Sequence, residues 1–238
     1  GFLDSTDFLN IYLMSSPWTG FMNFAFSTGS AAMGLPNDGA IGIAGSYFVS
    51  DKVYVIGSLV DTNSDPTDIG EGFDTFFRDN EYFTSLEIGI TTSPERVFFD
   101  NAHLTFWHKD KQVEANVAGG WGVAFSASKY ITERWMPFIR GGFADDAGTL
   151  LEQSVSVGVA YQAKPGRDVV GMAVNWGKPN EDTFAPGLSN QIAAELFYRM
   201  QFTKGLALTG DVQWLQDPAL NPTQSSIWMF NLRARFNF

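Results

Sequence analysis

From residue 39 onward, apolar and polar residues of this chain take turns. The closing run 228–238 shows it most plainly. Trp228, Phe230, Leu232, Ala234, Phe236 and Phe238 fall on one side; Met229, Asn231, Arg233, Arg235 and Asn237 fall on the other. A period of two means a strand with one apolar and one polar face. The same alternation predicts strands at 39–49, 52–61, 81–91, 98–108, 118–127, 135–143, 151–161, 169–177, 189–202, 205–215 and 225–238. Leu86, Ile88 and Ile90 oppose Ser85 and Glu87, and Val155, Val157, Val159 and Tyr161 oppose Glu152, Ser154 and Ser156. Most runs are about 9–11 residues, the length a tilted strand needs to cross a bilayer.

The connections between these strands sort by side. Counted back from the C-terminus, 62–80, 109–117, 144–150, 178–188 and 216–224 form one set, rich in Asp, Asn, Pro and Gly. The other set, 50–51, 92–97, 128–134, 162–168 and 203–204, is mostly short. Long loops on one side and short turns on the other are the asymmetry of an outer-membrane barrel. A soluble sandwich gives no reason to sort its loops. Aromatics near strand ends (Tyr47, Tyr54, Tyr82, Trp121, Trp135, Trp176, Trp214) suit an interfacial girdle. The fold class is therefore all-β, an antiparallel transmembrane β-barrel forming one domain over 1–238. Its apolar face meets lipid and its polar face a water-filled interior. A soluble β-sandwich binding module, with the apolar faces inward, is the alternative.

Composition narrows the choice. The 238 residues include 22 Phe and 7 Trp, yet mean hydropathy is only −0.06. No stretch of about 18 apolar residues exists for a transmembrane helix. Alternating strands produce this combination, because lipid-facing and water-facing residues cancel in any window. Zero cysteines exclude disulfides and thiolate metal sites. A net charge of −11 argues against nucleic acid as a partner. The sequence starts at Gly1 with no signal peptide, as a mature form or a piece of a longer chain would. An odd count of strands disagrees with the even number of bacterial barrels, which points to N-terminal strands outside this sequence. Within residues 1–38, Gly1–Asp4 reads as a strand tail, Ser5–Asn10 has helix-capping character, and 18–26 can hold a helical turn or two. Gly29, Gly34 and Pro36 to Gly39 are turn residues.

Three runs carry a family resemblance. They are Asn190-Gln-Ile-Ala-Ala-Glu-Leu-Phe-Tyr-Arg-Met-Gln-Phe-Thr203, Leu206-Ala-Leu-Thr-Gly-Asp-Val-Gln-Trp214, and Asn221-Pro222 followed by the closing Arg-x-Arg-Phe. Together they resemble the carbohydrate-selective porins of the OprB type, with Gly210 where that family usually has Pro. Gly1-Phe-Leu-Asp-Ser-Thr-Asp-Phe and Phe21-Met-Asn23 are similar to the family's middle section. The likeness is strong over 190–238 and loose elsewhere. It implies an outer-membrane porin-type barrel of about sixteen strands, of which this chain supplies the later ones. Residues 5–38 then become an extracellular loop that folds inward and narrows the channel.

The implied function is facilitated diffusion of carbohydrates or similar small neutral solutes across the outer membrane. A structural or plugged barrel without sugar selectivity is the rival within the same fold. Sugars carry no charge, so recognition falls to hydrogen-bonding side chains and to stacking on aromatic rings. Alternation turns Glu87, His103, Arg140, Glu195, Arg199, Asp211, Gln213, Arg233 and Arg235 inward. Arg199, Asp211 and Arg233 come from three consecutive strands and are expected to lie close together. Loop 62–80 carries Asp65, Asp68, Glu71, Asp74 and Asp79 without calcium-loop spacing and reads as a solvated acidic loop. His103 and His108 are the only histidines, and neither has a specified serine nucleophile or a metal-ligand cluster beside it. No enzyme activity and no cofactor are expected. The expected partners are outer-membrane lipid, lipopolysaccharide and sugars or small solutes, with a homo-oligomer left open.

Overall fold

The computed structural model describes residues 2–3, 19–27, 31–37, 39–65, 67–68, 70–184 and 186–237. Its strands are β1 (Phe2–Leu3), β2 (Ala40–Ser50), β3 (Val53–Asp61), β4 (Tyr82–Thr91), β5 (Asn101–Lys109) and β6 (Gly120–Ser128). They continue with β7 (Trp135–Asp146), β8 (Leu151–Lys164), β9 (Asp168–Pro179), β10 (Gln191–Thr203), β11 (Leu206–Gln216) and β12 (Ser226–Phe236). All twelve form one sheet in the order β1 to β12. Each consecutive pair is antiparallel, as a meander requires. The eleven longer strands are those expected from alternation, and β1 is the expected strand tail, held by Phe2↔Ile41 and Leu3↔Ala40. Phe238 and the capping segment Ser5–Asn10 lie outside the described residues.

The faces of the sheet are inverted relative to a soluble protein. Leu196 on β10 is 52% exposed, while its neighbour Glu195 is 3% exposed. Ile88 and Phe106 are exposed, and Glu87 and Thr105 are buried. Apolar side chains on the open face and polar ones on the covered face are stable only when the outer surroundings are apolar. No helix among the described residues is long and apolar enough to cross a membrane; in this fold the crossing belongs to the strands.

The connection 62–80 differs from the expected loop, because it carries α1 (Glu71–Arg78). Glu71 and Asp74 stand in its first turn and Arg78 in its last, the arrangement the helix dipole favours. Gly72 and Thr75 face inward, and the Thr75 hydroxyl donates to Asp61 Oδ2 at 2.6 Å. Asp65, Asp68, Glu71 and Asp74 remain solvated.

Two apolar clusters sit on the otherwise polar side. One joins Ala31, Ala32 and Met33 to Val60, Phe83, Trp107, Ala144 and Leu151. The other joins Phe21, Ala25 and Phe26 to Met136, Phe138, Ala160, Ala193 and Phe197. In both, the partner of the wall is the stretch between β1 and β2. The described parts of the expected interior loop 5–38 therefore pack against the covered face, and 5–18, 28–30 and 38 lie outside the described residues.

Candidate functional site

Residues 19–27 are built around Asn23. Its carbonyl accepts from the amides of Phe26 and Ser27 at 3.0 Å each, and its side-chain Oδ1 accepts from Ala25 N at 2.9 Å. An asparagine that caps its own turn in this way frees the chain from needing a strand partner. The turn occupies the place where a helical turn was expected. Phe21 anchors it, with ring centroids 5.0 Å from Phe197, 5.3 Å from Phe26 and 5.7 Å from Phe138. The contacts with Phe197 and Phe138 are edge-on and that with Phe26 tilted, arrangements favourable beyond their buried area.

The wall then grips the backbone of this turn. Glu195 Oε1 accepts from Met22 N at 2.7 Å, and Oε2 accepts from Asn23 N at 2.9 Å. Arg199 donates to the Thr19 carbonyl at 3.2 Å and Arg233 to the Gly20 carbonyl at 3.0 Å. Arg140 donates to the Phe26 carbonyl at 3.2 Å, and the Ser156 hydroxyl to the Ala25 carbonyl at 3.0 Å. Asn23 Nδ2 donates to Gln213 Oε1 at 3.0 Å. Acceptors meet N–H groups and donors meet carbonyls, so an irregular buried backbone finds its partners in charged wall residues. Register explains the convergence: Thr209 pairs with both Arg199 and Arg233, which places these arginines on either side of one residue. Asp211 stands one step along, accepting from Gln213 at 2.8 Å and Asn231 at 2.6 Å. Arg235 is exposed and donates to Asn237 Oδ1 at 3.1 Å.

Glu87 and His103 belong to a separate cluster on β3 to β5. Glu87 accepts from the Tyr54 hydroxyl at 3.2 Å and from Thr105 at 2.9 Å, with His103 Nε2 at 3.7 Å. Gly89 makes this possible. A Cβ there would stand 2.1 Å from Tyr54 Cζ, so only glycine lets the tyrosine ring lie across β4 and reach Glu87. Ser126 lies opposite His103 in register, but its hydroxyl has no hydrogen-bond partner, so the two form no nucleophile–base pair. Among the described residues no group of three potential metal ligands occurs.

Sequence reasoning missed the aromatic side of the site. Phe197 and Phe138 are apolar residues on the covered face, where the alternation rule looks for polar ones. Their only signal is parity, since Phe197 shares a side with Glu195 and Arg199.

The family profile described as "Carbohydrate-selective porin, OprB family" matches residues 3–238. A structure of OprB from Pseudomonas putida is similar over 99% of this chain and 67% of its own, with a TM-score of 0.73 at 16% identity. The outer-membrane channel DcaP of Acinetobacter baumannii is similar over 96% of this chain and 70% of its own, with a TM-score of 0.60 at 12% identity. No curated protein sequence matches the chain.

Proposed function

Because this chain belongs to the carbohydrate-selective porin family, OprB type, we propose that its covered face is the wall of an outer-membrane sugar channel that residues 19–27 narrow. The observation that carries this reading is the grip of Glu195, Arg140, Arg199 and Arg233 on an irregular turn. A channel that passes neutral sugars needs a narrow place with polar lining and only weak binding, since the solute must leave as well as arrive. Glu195, Arg140, Arg199, Arg233 and Gln213 act chiefly as positioning residues for the constriction, and the field of the uncovered charges tunes which ions share the path. Asp211 supports Gln213 in that task. Glu87 and His103 stiffen the wall at β4 and β5. Arg235 lines the exposed end of β12.

The reading is tested by reconstituting the full-length protein in planar bilayers and adding sugar. Ion current that neutral sugars reduce in a saturable way supports it. A barrel that conducts no ions is plugged, and the proposal then fails. Arg199→Ala and Arg233→Ala are expected to change conductance and ion selectivity; if neither moves, these residues do not shape the path.

A further inference from the structure

Phe24 stands out within the gripped turn. Its backbone neighbours are fixed to the wall on both sides, Met22 and Asn23 by Glu195, Ala25 and Phe26 by Ser156 and Arg140. The nearby rings of Phe21 and Phe26 are 0% exposed. Phe24 is 50% exposed, alone in this respect among the large apolar side chains of the described residues 19–37. With the wall behind the turn already filled by Phe21 and Phe26, an exposed ring at position 24 points away from the wall. Exposed apolar side chains on the outer face of the strands have lipid to meet. Phe24 lies on the polar side, where its surroundings are water, and half of the ring forgoes hydrophobic burial there.

We infer that Phe24 is a stacking platform for the apolar face of a pyranose ring at the narrow part of the channel. This rests on the porin reading above and adds to it the form of the substrate. A pyranose with equatorial hydroxyls presents C–H bonds on its two faces and hydroxyls at its rim. A flat aromatic ring meets the C–H face, while hydrogen-bonding groups meet the rim. One ring gives the weak, reversible hold that passage requires. The bonds to Met22, Asn23, Ala25 and Phe26 fix the backbone that carries the ring, so little backbone order is lost when the sugar arrives. An acyclic alditol of the same composition class has no such face and is held less well.

The experiment measures the concentration of D-glucose, and separately of D-sorbitol, that halves the single-channel current of the full-length protein. Wild type is expected to be blocked by glucose at lower concentration than by sorbitol. Phe24→Ala is expected to raise the glucose value by about tenfold, the equivalent of one aromatic contact, and to erase the difference between the two solutes. Its open current should rise, because the passage widens. Phe24→Trp is expected to restore glucose block, and heat-modifiable gel migration checks that each variant folds. Glucose block within twofold of wild type in Phe24→Ala overturns this inference and leaves the porin reading standing. A wild-type protein without ion current overturns both.

Discussion

Two parts of the covered face solve the same problem differently. On β3 to β5, Tyr54, Glu87, Thr105 and His103 pair with one another across neighbouring strands. On β7 to β12, Arg140, Glu195, Arg199 and Arg233 pair with the backbone of a segment far away in sequence. Both parts look alike in the sequence, as charged residues at inward positions of amphipathic strands. The difference teaches that an inward charge in a barrel is defined by what faces it. Where the facing element is another strand, the charge closes a local network. Where it is an irregular turn, the charge replaces the strand partner that the turn lacks.

The sharpest way to break this contrast is Glu195→Ala. It leaves the Met22 and Asn23 amides without their shared carboxylate, and a pair of charge-assisted bonds of this kind is worth about 3 kcal/mol. The expected outcome is a loosened turn, read as larger and noisier single-channel current, with the barrel still folded by gel migration. Gly89→Ala is the corresponding blow to the other part. Its Cβ displaces the Tyr54 ring and strips Glu87 of a donor. It is expected to cost about 2 kcal/mol, seen as a lower urea midpoint in micelles, with channel noise near that of wild type. Arg233→Ala removes one bond to the Gly20 carbonyl, worth about 1.5 kcal/mol, and is expected to shift ion selectivity toward cations in reversal-potential measurements.

The smallest effect lies outside both parts, at the short-turn side. Asp100 is buried there, which by itself would raise its pKa. Donation from Arg96, the Tyr130 amide and Thr92 outweighs this and holds its carboxyl below the usual range. A depressed pKa contributes stability that is present above the unfolded carboxylate value and is lost as pH falls through the folded one. Melting of the folded barrel between about pH 5 and pH 2 should therefore be steeper in wild type than in Asp100→Asn.

Much of the fold was legible because alternation is a strand-long signal. β10 repeats it from Ile192 to Phe202, and no single residue decides it. The same signal marked Glu195 and Arg233 as inward. It said nothing of Met22 or Gly20, because a hydrogen bond to a backbone amide leaves no mark on the residue that owns the amide. Phe197 escaped for a different reason. An aromatic at an inward position looks like noise in a polar series until the partner ring of Phe21 is known. α1 was hidden by charge, since Asp68, Glu71 and Asp74 suggested a solvated loop, and the buried positions that place the helix are the inconspicuous Gly72 and Thr75.

The meander has a consequence for how the protein assembles. From β2 on, each strand pairs with the next, mostly over short stretches of chain, and such local contacts form early and fast. The bonds that hold residues 19–27 to the wall span 114 to 213 positions of sequence. Those of Glu195, Arg199, Gln213 and Arg233 require the strands made last, β10 to β12, to be in place; Arg140 on β7 and Ser156 on β8 supply the rest. The turn over residues 19–27 is thus expected to settle last and let go first, and a chain whose closing strands are damaged keeps its hairpins and loses most of the bonds that hold this turn.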